Sequence, residues 1–196
     1  VCQADPGDAE TWFLLGAING QLGAFDEAEV CCRRVIAIRS DVPLAHYNLG
    51  IAYMEMELFK EAANEFKVAM KTVKFEFDCY MRLGLCSMGL KAFDEAVAFY
   101  LKALDIESRG AGAALKDSTV GQKVRMISSI VRKKGIMYEI ALAYEAGGRL
   151  SEAEEIYGSI YDMDPHFRDI EAKLASLRKD SGCIPLGDGL IEVELL

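Results

Sequence analysis

Phe25-Asp26-Glu27-Ala28 is a four-residue stretch that returns three more times along the chain. Its later copies are Phe59-Lys60-Glu61-Ala62, Phe93-Asp94-Glu95-Ala96 and Leu150-Ser151-Glu152-Ala153, at intervals of 34, 34 and 57 residues. At a constant distance ahead of each copy, a large apolar residue is followed by a small one: Leu15-Gly16, Leu49-Gly50, Leu83-Gly84 and Ile140-Ala141. Self-similarity at such a period is typical of stacked helical hairpins.

The small residue of each pair is explained by the packing of the two helices in a hairpin. Two antiparallel helices approach most closely where one of them carries little or no side chain. We therefore predict that the first helix of each hairpin crosses the second at its glycine or alanine, as at Gly50. Asp26, Asp94 and Ser151 are residue types that often cap helix N-termini, and we predict that they cap the second helices.

These positions resemble the tetratricopeptide repeat family. Trp12-x-x-Leu15-Gly16 matches the opening of the family consensus, and Ala28 matches the small residue of its second helix. The aromatic residue that the consensus has four positions later is replaced by Cys32 in the first repeat and is present in the others, as Phe66, Tyr100 and Tyr157. The resemblance implies an all-α, right-handed superhelical solenoid of helical hairpins that binds other polypeptides.

The register of the repeats divides the chain into six segments. We expect the end of a preceding repeat in 1–8, three tandem repeats in 9–110, a basic helical insert in 111–133, the fourth repeat in 134–167, a capping helix in 168–179 and a tail in 180–196. An ordinary N-terminal arm is the alternative for the first segment. The capping helix is predicted because it carries apolar residues on one face and charges on the other, as the end of a solenoid requires.

The insert differs from the rest of the chain in charge. Residues 111–134 carry six basic side chains and one acidic one, whereas the whole chain has a formal net charge of −9. Val120, Val124, Ile127 and Val131 recur at helical spacing, which predicts an amphipathic helix. One interpretation is a docking element for an acidic partner or a membrane surface. The other is a spacer, or an extension of the first helix of repeat four, whose basic side rests on the acidic solenoid.

The resemblance also predicts which residues line the concave groove of the solenoid. They are Phe13, Leu14, Tyr47, Asn48, Ile51, Met54, Met81, Arg82, Leu85, Met88, Tyr138 and Leu142. In the first repeat the same rows also contain the small residues Ala17 and Gly20. The predicted groove is apolar and rich in methionine, which is typical of adaptable binding surfaces. Alternatively, further helices or the chain's own tail cover this surface.

One known function of the family does not fit these positions. Family members that clamp the C-terminal carboxylate of chaperones use five Lys, Asn and Arg residues, of which only Asn48 and Arg82 are matched here. Asp78 stands at a position that should be basic, and its charge is wrong for binding a carboxylate.

Composition excludes several other classes of function. The net charge of −9 argues against nucleic acid as a partner, and the apolar runs are too short to span a membrane. No set of residues converges on a catalytic, cofactor or metal site, so we expect no enzyme activity, no cofactor and no metal. The six cysteines include no Cys-x-x-Cys pair, so we expect reduced thiols and a cytoplasmic protein.

The sequence thus predicts a protein–protein interaction scaffold that binds a partner peptide or helix in an apolar groove. The alternative is a regulatory or substrate-recruiting arm of a larger enzyme, such as a glycosyltransferase or kinase. The tail from Leu190 to Leu196 alternates apolar and acidic residues in its middle. We therefore also consider a homo-oligomer formed through the groove or this tail.

Overall fold

The structure, a computed structural model, describes residues 8–113 and 120–180. These two ranges contain nine α-helices, the short 3-10 helix Val73–Phe75 and no strand. The helices are α1 (Ala9–Gln21), α2 (Phe25–Ile38), α3 (Pro43–Glu55), α4 (Phe59–Ala69), α5 (Glu76–Gly89), α6 (Phe93–Ala113), α7 (Val120–Ala146), α8 (Leu150–Met163) and α9 (Ile170–Asp180).

The helices pack as four successive hairpins, α1/α2, α3/α4, α5/α6 and α7/α8. The first helix of each later hairpin also packs against the second helix of the hairpin before it, and α1 contacts α3 directly. Each hairpin therefore buries its apolar face on its neighbours, which is how repeat proteins form a continuous core. The predicted all-α solenoid of helical hairpins is confirmed.

The glycines of the repeat lie where two helices meet closely. A Cβ atom added to Gly50 would lie 2.7 Å from the ring of Phe66, and one added to Gly16 would lie 3.1 Å from the Cβ of Cys31. Phe66 and its equivalents Tyr100 and Tyr157 are fully buried. The predicted close crossing of the helices is therefore present, and in repeat two it accommodates the aromatic ring of the second helix.

The predicted N-caps are wrong. Helix α2 begins at Phe25 with Ala24 as its N-cap, α8 begins at Leu150, and neither helix has a side-chain cap. Asp26 lies inside the first turn of α2, where its carboxylate is favoured by the positive end of the helix dipole. The second helices thus begin one residue before the residues that were expected to cap them.

The turn inside each hairpin has the same left-handed backbone. Gly23 and Gly148 have φ values of 76° and 77° there, and the equivalent residues Glu57 and Lys91 have 59° and 58°. This conformation suits glycine and is unfavourable for a residue with a Cβ. Two of the four turns therefore contain a residue that the backbone conformation disfavours.

The described part of the insert extends the first helix of repeat four. Helix α7 begins at Val120 and continues without a break to Ala146, which gives 27 residues. Val131, on the predicted apolar stripe, is exposed, whereas Arg132 pairs with Glu107 across 3.2 Å. This arrangement agrees with the interpretation of a helix extension whose basic side rests on acidic residues. The other three residues of the stripe have side chains outside the described part.

Helix α9 packs against α8, the last helix of the four hairpins. Its buried residues Ile170, Leu174 and Leu177 pack in one cluster with Tyr157 and Ile160 of α8. The expected end of a preceding repeat in 1–8 lies outside the described residues except for Asp8, and so does nearly all of the expected tail, from residue 181 onwards.

Candidate functional site

The residues predicted to line the groove all lie on the first helices of the hairpins, α1, α3, α5 and α7. Leu14 and Leu85 are exposed and Tyr138 is buried. The remaining nine are half-buried: Phe13, Tyr47, Asn48, Ile51, Met54, Met81, Arg82, Met88 and Leu142. The predicted surface is therefore partly accessible and partly continuous with the core.

Two aromatic residues of the predicted groove serve the core. The ring of Tyr47 stacks on Phe75 with centroids 5.8 Å apart and meets Phe66 edge-on at 5.6 Å. Tyr138 is only 6% exposed, and its hydroxyl donates a hydrogen bond to Asp169. Burial and this carboxylate raise the pKa of Tyr138 to about 12. The ring of Tyr138 is therefore covered, whereas Tyr47 is half-buried.

An accessible apolar pocket lies between the first two repeats, where α1, α2 and α3 meet. We call it the first-repeat pocket. Its volume is about 260 Å³, and it is lined by Gly16, Ala17, Gly20, Gln21, Phe25, Ala28, Asn48, Ile51 and Ala52. The lining is apolar except for the side-chain amides of one glutamine and one asparagine. It brings together Asn48 and Ile51, two of the residues predicted for the groove.

The pocket exists because two positions of α1 carry small residues. Ala17 and Gly20 stand where repeat two has Ile51 and Met54, and both of these pack against the core cluster beneath them. A Cβ added to Gly20 would meet no atom within 4 Å, so the space beside it is open. In the first repeat this space is left to a ligand or to solvent.

Seven of the nine residues that line the pocket were absent from the predicted site: Gly16, Ala17, Gly20, Gln21, Phe25, Ala28 and Ala52. The signal for two of them was present in the sequence. Ala17 and Gly20 are small where repeats two and three carry large apolar side chains and repeat four carries Leu142 and Glu145, and a break of this kind in a repeat predicts a cavity.

Acidic side chains surround the apolar surface unevenly. In repeat four, Glu139 pairs with Arg168 and Glu145 with Lys173, each across 3.0 Å. Glu55 and Asp78, at the ends of neighbouring first helices, are exposed, and in the part of the chain that the structure describes they form no ion pair. Glu55 is the last residue of α3, whereas Asp78 lies in the first turn of α5, one turn before Arg82, which also forms no ion pair among the described residues.

The sequence predicts neither a metal site nor reactive thiols, and the described residues bear on both expectations. No group of three or more His, Cys, Asp or Glu residues among them is arranged to hold a metal ion. Burial raises the pKa of Cys32, Cys79 and Cys86 to about 11, which leaves these thiols protonated and unreactive at neutral pH. His46 lies with its Nδ1 2.7 Å from a carboxylate oxygen of Glu65, a contact between the two helices of one hairpin. No helix in the described ranges is long and apolar enough to cross a membrane.

Profiles of the tetratricopeptide repeat match residues 9–42 and 47–113 of the chain, about half of its length. The chain belongs to the tetratricopeptide repeat family. No curated protein sequence matches it significantly.

Solved structures of similar fold include MamA, YrrB and others. A crystal structure of MamA is 21% identical, with a TM-score of 0.63, and the match covers 89% of this chain and 84% of that one. MamA from Desulfovibrio magneticus RS-1, residue 41 to the end, is 17% identical, with a TM-score of 0.68 and coverage of 93% and 89%. YrrB, described as a tetratricopeptide repeat protein with an unusual peptide-binding site, is 15% identical, with a TM-score of 0.66 and coverage of 92% and 81%. At these identities the likeness shows the shared fold alone.

Proposed function

We propose that this protein is a protein-interaction scaffold that binds a partner peptide along its first helices and holds one bulky apolar side chain in the first-repeat pocket. The observation that carries the proposal is the open space beside Ala17 and Gly20, at a place where repeats two and three carry large side chains. Family membership supports the general class of function, because helical repeats of this kind commonly present extended binding surfaces.

The size and lining of the pocket favour a side chain over a small-molecule ligand. Pockets for drug-sized ligands and cofactors measure about 300–1,000 Å³ and carry several convergent polar groups. The first-repeat pocket, at about 260 Å³, lies below that range. Its polar groups are the amides of Gln21 and Asn48, which suit hydrogen bonding to the backbone of an extended peptide or to the end of a helix.

The charge around the surface favours a basic peptide. Glu55 and Asp78 are exposed on α3 and α5, Arg82 is the one basic residue of the predicted groove, and the whole chain carries a formal charge of −9. Complementary charges at the rim of an interface accelerate association and suppress wrong partners. The proposed partner segment therefore combines a large apolar residue with lysine or arginine residues near it.

A selection from a random peptide library displayed on phage tests this proposal. We expect enrichment of peptides with an aromatic or large aliphatic residue flanked by basic residues. The affinity of one enriched peptide, measured by fluorescence polarisation, is then compared between the parent and Gly20→Met. This substitution introduces the side chain that repeats two and three carry at the equivalent position, so it fills the pocket with a native-like residue.

The matched control is Gly158→Met on α8, where an added Cβ also meets no atom within 4 Å. We expect the affinity to fall at least about tenfold in Gly20→Met, because filling the pocket excludes an anchor side chain worth roughly 1.5–3 kcal/mol on burial. The control is expected to bind as the parent does. Equal binding by all three proteins, or enrichment of acidic peptides without a large apolar residue, would contradict the proposal.

A further inference from the structure

Helix α9 keeps the register of the repeats. Leu174-Ala175 follows Ile140-Ala141 at an interval of 34 residues, which is also the interval between the first three repeats. In each of the helices α1, α3, α5, α7 and α9, the last residue lies five positions after the small residue of the pair. Leu174 is buried, as are the equivalent residues of α3, α5 and α7. By these measures α9 corresponds to the first helix of a hairpin.

One face of α9 differs in exposure from the same face of the other first helices. Ala175 is exposed, whereas all four of its equivalents are buried: Gly16, Gly50, Gly84 and Ala141. At each of the three glycines, an added Cβ would contact the second helix of the same hairpin, as at Gly50, where the ring of Phe66 would lie 2.7 Å away. The face around Ala175 is therefore the one on which a second helix packs, and residues 8–113 and 120–180 leave it exposed.

A groove between α8 and α9 opens beside this face. Its volume is about 320 Å³, and it is lined by Tyr161 of α8 and Ala175 of α9, with charged side chains of both signs around them. Tyr161 is exposed, whereas its equivalents Ile36, Met70 and Leu104 pack against buried clusters of the core. Both helices thus present to the groove a position that is covered elsewhere in the solenoid.

The sequence after α9 keeps the spacing of a hairpin turn. Gly182 stands 34 residues after Gly148, at the position that has a left-handed backbone in all four turns. Glycine adopts this conformation without strain. Two residues later, Ile184 stands where the second helices begin with phenylalanine or leucine. The sequence therefore contains the residues that a fifth turn requires.

The positions that pack against a first helix continue in the same register. Gly187 stands where the four second helices have alanine, and Ile191 stands where three of them have a fully buried aromatic residue. Pro185 falls in the first turn, where proline is tolerated because its missing N–H would have no partner there. The match ends at Glu194, since its equivalents are buried and apolar. The register thus supports a short second helix over 184–191.

We propose that residues 184–191 are the occupant of the groove, as the second helix of a fifth hairpin that packs on the face of α9 around Ala175. The three residues 181–183 have the length of each of the four turns that the structure describes. A helix of two turns is marginal alone in water, so this one forms because α8 and α9 bury its apolar side. The groove is then filled by the chain itself, and Ala175 is buried like its equivalents.

Disulfide formation in the full chain tests where the segment lies. An added Cβ at Gly16 would lie 3.1 Å from the Cβ of Cys31. The equivalent pair in the fifth hairpin is Ala175 and Leu190, which are therefore close enough to form a disulfide when both are replaced by cysteine. Mass spectrometry measures the closed fraction in a glutathione redox buffer. We expect closure at least about tenfold more favourable than in the control pair, because docking raises the effective concentration of the two thiols.

The control pair is Ser176→Cys with Leu190→Cys. Ser176 is also exposed and is adjacent to Ala175 in sequence, so a segment that does not dock would close both pairs alike. Both pairs are made in a background in which Cys2 and Cys183 are replaced by serine. Equal closure would overturn the proposal. A disulfide that links two chains would assign the segment to a second copy and would overturn it as well.

Hydrogen exchange of the full chain, followed by mass spectrometry, tests whether the segment is helical. We expect the amides of 188–191 to exchange at least about fivefold more slowly than those of an unstructured peptide. Ile191→Asp is expected to abolish this protection and to speed exchange in α9. Its matched control is Val193→Asp, because the equivalents Arg34 and Lys102 are exposed, and this variant is expected to exchange as the parent does. Unprotected amides in the parent, or equal effects of the two substitutions, would overturn the proposal.

Discussion

Replacing Gly50 with alanine places a methyl group against the ring of Phe66. The added Cβ would lie 2.7 Å from the nearest ring carbon, and the ring is fully buried, so it cannot move aside into solvent. Overpacking of this kind costs about 1–3 kcal/mol. Alanine also raises helix propensity over glycine by about 1 kcal/mol, so the effect of one variant alone combines two opposite contributions.

The matched variant Gly20→Ala separates these contributions. Gly20 also lies inside a first helix, but an added Cβ meets no atom within 4 Å there. We therefore expect Gly20→Ala to stabilise the protein by up to about 1 kcal/mol. Gly50→Ala is expected to be less stable than Gly20→Ala by about 1–3 kcal/mol, the packing cost alone. Urea denaturation followed by circular dichroism measures both free energies of unfolding.

A rescue variant identifies the cause. In the background of Phe66→Leu, the smaller side chain leaves room for the methyl group, so Gly50→Ala is expected to cost less than in the parent. Equal free energies of unfolding for Gly20→Ala and Gly50→Ala would refute the reasoning that the helices cross closely at this glycine. An unchanged cost in the Phe66→Leu background would refute the assignment to the ring.

Three further predictions follow from single contacts. Tyr100→Phe is expected to be neutral or stabilising, because the buried hydroxyl of Tyr100 has no hydrogen-bond partner in the described residues. Tyr157→Phe removes a 2.8 Å hydrogen bond to a carboxylate and is expected to destabilise the protein by about 1–2 kcal/mol. Equal thermal midpoints for these two variants would contradict this. Lys91→Gly is expected to stabilise by about 1 kcal/mol, because it relieves a left-handed backbone at φ 58°, and a lower urea midpoint would refute that reasoning. The hydrogen bond from Lys134, at 2.5 Å, holds the pKa of Asp164 below its ordinary value. This contact therefore stabilises the fold above the pKa of the unfolded carboxyl, about 4, and is lost as the pH falls through the lowered pKa. Asp164→Asn is expected to reduce the fall in the urea midpoint below about pH 4, and an unchanged profile would argue against the contact.

The fold could be predicted from the sequence because each repeat carries the same information several times. The period, the small residue at Gly50 and the aromatic residue at Phe66 are all required by the close packing of two helices. Because the same pattern returns in several repeats, it is not a chance match to the repeat consensus. The helix starts were harder to predict. Asp26 suits an N-cap and also the first turn of a helix, and its residue type alone does not decide between them.

The site could be predicted only in part. The family resemblance predicts which rows of side chains share a surface, but it does not predict which other residues of the chain bury each of these side chains. Tyr138 is covered because it packs in one cluster with Ile170, Leu174 and Leu177 of α9. Its hydroxyl also donates a hydrogen bond to Asp169, just before that helix. These contacts come from a segment that follows the four repeats. The first-repeat pocket depends on the lack of large side chains at Ala17 and Gly20. This lack becomes visible when the sequence of each repeat is compared with the next.

The most direct test of the proposed binding function is a methyl NMR experiment with the enriched peptide. Intermolecular nuclear Overhauser effects are measured between the peptide and the methyl groups of the full chain. The account predicts contacts from the peptide's large apolar side chain to the methyls of Ala17 and Ile51, which line the pocket. Contacts confined to methyls on the second helices, such as the exposed Leu101 of α6, would contradict it.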